Sequence, residues 1–212
     1  MAADFAGAAA HLVRIGQRFD ARGWVLGTSG NFSVVVQPRP LRLAITRSGT
    51  HKGELTAGDI LEVAGATLRA GAGAPSAETL LHLEIIRARQ AAAVMHTHST
   101  WSTAVSDRCA AQAGVAIEGY GMLKGLAGVT THEHREWIPV LENDQDMTRL
   151  AARVRAVLTE WPDCHGFLLR RHGLYTWGAT VPEAVRHVEI VEFLLESVGR
   201  KEAAHGPRES SL

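Results

Sequence analysis

The sequence predicts one α/β domain with a covered central sheet in which parallel and antiparallel strands are mixed. Strand-like and helix-like segments alternate along the chain, which is the pattern of an α/β domain. Several connections between strand-like segments are short enough for hairpins, so the sheet should not be purely parallel. The length of 212 residues suits one domain with a sizeable core and would be tight for two.

The first third of the chain predicts a helix followed by three strands. Apolar residues recur at helical spacing across residues 8–22, and Gly23 follows as a stop signal. Two β-rich runs, 32–36 and 41–45, flank a turn with two prolines and predict a hairpin. Residues 60–63 predict a further short strand.

The later elements alternate in the same way. A P-S-A-E stretch opens a helix, and the buried strand after it delivers two histidines at its C-terminal end. The polar tail after Lys201 is expected to be frayed. The predicted elements are a helix over about 75–86, a strand over 91–98, a helix over 146–160, strands over 166–171 and 173–177, and a helix over 182–198.

Composition and charge exclude several classes of function. Hydrophobic residues make up 46% and charged residues 21%, as in an ordinary soluble globular protein. The formal net charge is zero, so nothing points to nucleic acid or an anionic membrane as a partner. Cys109 and Cys164 form no C-x-x-C pair, and we find neither a signal-peptide pattern nor a membrane-spanning stretch. We therefore expect a protein of the reducing cytoplasm, in which any bound phosphate is met by a local site.

His96 and His98 are two candidate metal ligands. Residues two apart on a strand point to the same face, so both imidazoles should face one cavity. A catalytic zinc usually takes three protein ligands and leaves one position open. His172, which precedes a glycine at another strand end, is the best third ligand. The alternative is that each is an ordinary, partly buried histidine with one hydrogen bond.

The other histidines are weaker candidates. His132 and His134 form a second H-x-H in a polar segment, and we interpret them as surface or substrate-lining residues, with a second metal site as the alternative. The remaining histidines are interpreted as packing or solvent-exposed residues: His11, His51, His82, His165, His187 and His205.

Glu78 lies at the start of a predicted helix, just ahead of the histidine strand. A carboxylate at this position is favoured by the helix macrodipole and could have only that structural role. Beside a metal, the same side chain could act as a general acid/base. The residues alone leave both interpretations open.

Two polar, glycine-rich loops could bind a phosphate, because free backbone N–H groups and hydroxyls form a suitable cradle. Each loop taken singly is an ordinary turn. Together with Ser76 and a neighbouring metal, they suggest a phosphorylated small molecule. The candidates are Thr28, Ser29, Gly30 and Asn31 in the first loop and Ser48, Gly49 and Lys52 in the second.

Five motifs in this order resemble the class II aldolase/adducin family over about residues 23–198. The resemblance implies a single domain of three layers, α/β/α, over residues 1–212, with phosphate capture by the glycine-rich loops. It also implies one zinc ion per subunit, held by His96, His98 and His172, and a homotetramer with active sites near subunit interfaces. The motifs are G-T-S-G-N-F-S (27–33), S-G-T-x-K-G (48–53), P-S-A-E (75–78), H-T-H-S (96–99) and R-R-H-G (170–173).

Within that family, four stretches are similar to the methylthioribulose-1-phosphate dehydratases of methionine salvage. This similarity implies a zinc-dependent dehydration of a phosphosugar. Two other functions stay open: a sugar-phosphate aldolase that cleaves the bond between C3 and C4, and a non-catalytic binding or scaffold protein. The similar stretches are residues 75–82, 122–125, 130–137 and 170–178.

One residue departs from the dehydratase pattern. The resemblance places a catalytic glutamate just before M-L-K-G, where this chain has Gly121. Because glycine cannot transfer a proton, the acid/base must lie elsewhere, or the activity is weakened or altered. Glu78, which matches the base position of the family's aldolases, is the first candidate, and Glu118 and Tyr120 are the others.

Overall fold

In the computed structural model, which describes residues 4–65, 67–71 and 73–205, helices cover both faces of one sheet. The described residues form five α-helices: α1 (Phe5–Asp20), α2 (Thr79–Arg89), α3 (Thr100–Arg108), α4 (Met147–Glu160) and α5 (Val181–His205).

The sheet has nine strands within the described residues, in the order β4-β3-β2-β1-β5-β9-β8-β7-β6. Strands β7 and β8 pair in parallel, and each other pair of neighbours is antiparallel. The predicted mixed sheet is confirmed. The strands are β1 (Asn31–Pro38), β2 (Leu41–Thr46), β3 (Ile60–Ala64), β4 (Thr67–Ala70), β5 (Ala93–Thr97), β6 (Gly114–Ile117), β7 (Glu136–Leu141), β8 (Gly166–Leu169) and β9 (Gly173–Gly178).

Alternation along the strands divides the core into two faces. On β5, Val94 packs with α2 and α4, whereas Met95 packs with α1 and α5. Leu81 on α2 and Leu12 on α1 are fully buried on these opposite faces. Each such leucine contributes about 1.5–3 kcal/mol by leaving water. The three-layer α/β/α architecture is therefore confirmed.

The sequence pattern finds the strongly periodic elements and misses the others. The buried face of α1 contains the predicted Ala8, Leu12, Ile15 and Phe19, and β1 and β2 form the predicted hairpin. Strand β4 is missed because all its residues are exposed and show no apolar alternation. Helix α3 and strands β6 and β7 are not predicted from the sequence either.

Helix α5 continues to His205, past the start of the tail expected to fray, and residues 206–212 lie outside the described part of the chain. Cys109 and Cys164 are both free thiols. No helix in the described ranges combines the length and apolar character needed to cross a membrane.

Candidate active site

Three imidazoles converge at the end of β5. His96 is in this strand, His98 follows it, and His172 lies in the turn between β8 and β9. Nε2 of His96 lies 2.7 Å from Nε2 of His98 and 3.1 Å from Nε2 of His172. Nδ1 of His96 lies 3.0 Å from the carbonyl oxygen of Leu174, which can accept its proton and orient the ring. Three ring nitrogens in this arrangement can hold a divalent metal.

Two glycines let the neighbouring strands approach this cluster. Gly30 has a φ of +74°, and a Cβ there would lie 2.8 Å from the carbonyl oxygen of His96. At Gly173, directly after His172, a Cβ would collide with the carbonyl oxygen of Thr97. Larger residues at these positions would push β1 and β9 away from the histidine strand, so both motif glycines serve the geometry of the site.

The histidines are held in the neutral form that binds metals. Burial lowers the pKa of His96 to about 4. Burial, assisted by His96 and His172, lowers the pKa of His98 to about 2. Both rings are therefore unprotonated near pH 7, and protons do not compete with a metal there.

Tyr175 fixes the plane of the His96 ring. The two rings stack with centroids 3.9 Å apart and planes 12° apart, and Phe167 covers the other face of the phenol at 4.9 Å. The Tyr175 hydroxyl is fully buried. Burial and the nearby Glu78 carboxylate raise the pKa of Tyr175 well above its ordinary value, so the phenol stays protonated.

Glu78 lies against the histidine cluster. Its Oε1 is 3.1 Å from Nε2 of His172, and its Oε2 is 3.5 Å from Nε2 of His96. Its side chain makes no capping hydrogen bond to α2 and accepts a 2.6 Å hydrogen bond from Nδ2 of Asn31. Burial acts to raise the pKa of Glu78, but His96, His172 and Asn31 together hold it well below its ordinary value. The site therefore holds an ionised carboxylate beside the candidate metal ligands.

Glu192 on α5 is a buried carboxylate that is not predicted from the sequence as part of the site. It accepts hydrogen bonds of 2.5 Å from the hydroxyls of Thr97 and Ser99, which alternate along the chain with His96 and His98. The signal in the sequence is an acidic residue on the apolar face of a helix, four residues after the buried Val188 and three before the buried Leu195. Glu192 thus fixes the strand end that carries the histidines from its opposite face.

The Glu192 carboxyl predicts an unusual pH dependence of stability. Burial raises the pKa of Glu192 to about 7, although the hydrogen bonds from Ser99 and Thr97 act to lower it and Glu196 adds a small increase. Because the pKa of Glu192 is higher in the folded than in the unfolded protein, the protonated carboxyl stabilises the fold. This contribution is complete when the pH is below the pKa of the unfolded state, and it is lost as the pH rises through about 7. Glu192→Gln cannot ionise, so its stability relative to the wild type should increase by up to about 3 kcal/mol between pH 5 and pH 8. Urea unfolding of both proteins measures this difference, and a constant difference across the range would contradict it.

Lys52 joins the two glycine-rich loops. Its side chain is buried, and Nζ donates to the carbonyl oxygen of Thr28 at 3.0 Å and to that of Thr50 at 2.6 Å. Burial lowers the pKa of Lys52 to about 8, which leaves the ammonium mostly charged near pH 7. The loops therefore form one polar surface near the histidines.

The other phosphate candidates lie on or beside these loops. Ser48 and Gly49 are exposed, and Ser76 is half-buried, with its Oγ accepting from the backbone N–H of Glu78 at 3.2 Å. The Ser29 hydroxyl is buried without a hydrogen-bond partner in the part of the chain described.

Two acid/base candidates lie outside the histidine cluster. The Glu118 side chain is 70% exposed and faces Arg135 at 3.8 Å. Tyr120 packs against the hydrophobic cluster that contains Val191 of α5. Gly121, at the position where the dehydratase pattern has glutamate, is exposed.

The second H-x-H pair does not converge on a common point. His132 is exposed, whereas Nε2 of His134 lies 2.8 Å from the buried Glu136 carboxylate, which also contacts His165 at 3.0 Å. The described ranges contain one group with metal-ligand geometry, and it is the cluster of His96, His98 and His172.

A family profile described as the class II aldolase and adducin N-terminal domain matches residues 10–198. The chain belongs to this family. The class II aldolase relatives include a methylthioribulose-1-phosphate dehydratase of Pseudomonas fluorescens (strain Pf0-1), 44% identical over 89% of this chain and 90% of that protein. A protein with the same name in Acidiphilium cryptum (strain JF-5) is 46% identical over 88% of this chain and 87% of its own length.

Solved class II aldolase structures share the fold. L-fuculose-1-phosphate aldolase from Thermus thermophilus superposes with a TM-score of 0.72 over 93% of this chain and 96% of that one, at 24% identity. The fold class predicted from the motifs is confirmed.

Proposed function

We propose that this chain catalyses the zinc-dependent dehydration of 5-methylthioribulose 1-phosphate to 5-methylthio-2,3-dioxopentyl phosphate, a step of methionine salvage. The observation that carries the proposal is the 44% identity over 89% of the chain to a relative named for this dehydration. The reaction makes the chain a hydro-lyase. It needs an electrophile for the carbonyl oxygen, a base beside it and a phosphate site, and candidate residues exist for each.

His96, His98 and His172 would hold the zinc ion. Their Nε2 atoms converge, and His96 and His98 are neutral near pH 7. Three protein ligands leave a coordination position open, as catalytic zinc sites do. When bound, zinc supplies Lewis acidity toward the C2 carbonyl and C3 hydroxyl oxygens of the substrate.

Glu78 is the base in this proposal. Its ionised carboxylate takes the proton from C3, and the electron pair of that C–H bond is delocalised toward the C2 carbonyl. The protonated Glu78 then returns the proton to the C4 hydroxyl, which leaves as water while a double bond forms between C3 and C4. The enol produced takes up a proton at C4 and loses the proton of its C3 hydroxyl, which gives the 2,3-diketone.

The glycine-rich loops would bind the phosphate. Thr28, Ser29 and Gly30 supply hydroxyl and backbone donors on one side, and Ser48 and Gly49 supply them on the other. Asn31, Lys52 and Ser76 complete the candidate set, and Lys52 brings a positive charge to the point where the loops meet.

We also propose a homotetramer in the cytoplasm, with its active sites near subunit interfaces. Five large apolar side chains of the described residues are exposed and would be available to a subunit interface: Leu26, Leu68, Met122, Trp161 and Phe193. Leu26 lies in the loop that leads into the phosphate candidates. The free thiols of Cys109 and Cys164 suit a reducing compartment.

Turnover of 5-methylthioribulose 1-phosphate by the zinc-loaded protein tests the function. We expect loss of one water and formation of the diketone phosphate, followed by NMR and mass spectrometry. A chelator should remove the activity, and added zinc should restore it. A triose phosphate or aldehyde product would identify an aldolase instead. No turnover together with no stoichiometric zinc would favour a binding or scaffold role.

A further inference from the structure

A buried chain of hydrogen bonds runs from Glu78 into the protein, away from the histidine cluster. Nδ2 of Asn31 donates to Glu78 at 2.6 Å, and Oδ1 of the same amide lies 2.5 Å from Nε2 of His82. The other ring nitrogen of His82, Nδ1, lies 2.7 Å from the hydroxyl of Ser33. Ser33 and His82 are fully buried, and Asn31 is 6% exposed.

Secondary structure places these four residues together in pairs. Asn31 and Ser33 are two apart on β1 and therefore point to the same side of the sheet. Glu78 and His82 are four apart at the start of α2 and lie on one face of that helix. The neighbours of His82 on α2, Leu81 among them, fill the apolar core, so a histidine here is an exception within an apolar surface.

Only one assignment of donors and acceptors satisfies all the hydrogen bonds that link Ser33, His82, Asn31 and Glu78. Burial lowers the pKa of His82 to about 4, so the ring is neutral and carries one N–H. The oxygen of Asn31 can only accept, so Nε2 of His82 donates to it and Nδ1 accepts from Ser33. With its oxygen held by His82, the Asn31 amide must present its NH₂ group to Glu78. The opposite orientation would set two oxygens against each other.

We propose that His82 is a positioning residue for the dehydration, which locks the Asn31 amide so that its NH₂ group holds the Glu78 carboxylate against His96 and His172. This inference rests on the proposed function, in which Glu78 is the base. Ser33 has the supporting role of fixing which ring nitrogen of His82 carries the proton. The hydrogen bonds of the His82 ring go to Ser33 and Asn31 and to none of the candidate metal ligands, so His82 acts on the site through the Asn31 amide.

The loss of His82 should have a specific kinetic effect. A free Asn31 amide can rotate and turn its oxygen toward Glu78, which removes the hydrogen bond that holds the carboxylate against His96 and His172. The carboxylate is then less often in the position for proton transfer, so kcat falls. His82 makes no hydrogen bond to His96, His98 or His172 in the described residues, so the zinc content should stay the same.

The experiment compares three variants of the zinc-loaded protein. His82→Phe keeps the ring volume and removes both hydrogen bonds, whereas the amide nitrogen of His82→Gln can reach the place of Nε2 and donate to Asn31. Leu158→Ala, a core truncation on α4, is the matched control for a general loss of stability. For His82→Phe we expect kcat to fall about tenfold or more, with a much smaller change in KM and with the zinc content kept. His82→Gln should recover most of kcat, and Leu158→Ala should keep the wild-type kcat.

A wild-type kcat in His82→Phe would overturn the inference, and so would an equal fall of kcat in His82→Phe and His82→Gln. Loss of zinc from His82→Phe would also overturn the inference, because it would show that His82 helps to hold the metal. If the wild-type protein has no turnover, the proposed function is wrong, and crystal structures of the wild type and His82→Phe still decide the positioning role. An unchanged contact between Asn31 and Glu78 in the variant would then contradict it, and a broken contact would support it.

Discussion

Replacing His96 with alanine is expected to remove the proposed zinc ion and the activity together. Its Nε2 is within 3.1 Å of those of both other histidines, so the loss leaves His98 and His172 without the central ligand. Mutation of an outer-shell partner of a metal ligand typically lowers metal affinity or activity by about 10–100-fold. Loss of a ligand itself should therefore lower both by more than about a hundredfold. Elemental analysis and the diketone assay on one preparation measure both effects.

The matched control is His132→Ala, which removes a histidine from the exposed H-x-H pair. This variant should keep its zinc and its turnover. Stoichiometric zinc and full activity in His96→Ala would show that the metal assignment is wrong. Loss of activity with zinc retained would instead give His96 a role in the chemistry.

The histidine cluster can be predicted from the sequence because strand geometry brings its members together. A spacing of two on a buried strand puts His96 and His98 on one face, and the His172–Gly173 pair indicates a tight turn against a neighbouring strand. Motif order then predicts the layered α/β fold. Motif glycines such as Gly30 are informative because a side chain there would collide with the backbone that carries His96.

Residues whose partners are distant in sequence cannot be predicted in this way. His82 and Glu192 each lie on a mostly apolar helix face, where an isolated polar residue is usually a packing residue. Their partners come from other elements: Asn31 lies 51 residues from His82, and Thr97 lies 95 residues from Glu192. Only the tertiary structure shows that both belong to hydrogen-bond networks around the histidine strand.

The base position illustrates the same limit. From the sequence, Glu78 is the first candidate once Gly121 is recognised as a departure from the dehydratase pattern, and Glu118 and Tyr120 stay open as alternatives. The structure separates them, since Glu78 is within 3.5 Å of two candidate ligands, whereas the Glu118 side chain is 70% exposed. A cap position without a capping hydrogen bond explains why Glu78 is free to face the site.

Glu78→Gln should therefore abolish turnover while the zinc and the fold are kept. Glutamine has nearly the same size but cannot take up a proton, so kcat should fall by about 10²–10⁴-fold. Because Glu78 is assigned neither to the metal nor to the phosphate, the zinc content and KM should change little. Steady-state kinetics, elemental analysis and thermal unfolding on the same preparation check the three parts of this expectation.

Gly121→Glu, alone and combined with Glu78→Gln, decides whether the missing glutamate matters. A Cβ at position 121 would meet no atom within 4 Å, and the residue is exposed, so the substitution should fold normally. If Glu78 is the base, the double variant stays as inactive as Glu78→Gln. Recovery of turnover in the double variant would mean that proton transfer can be carried out from position 121. Full activity in Glu78→Gln alone would exclude Glu78 as the base and return the assignment to Glu118 or Tyr120.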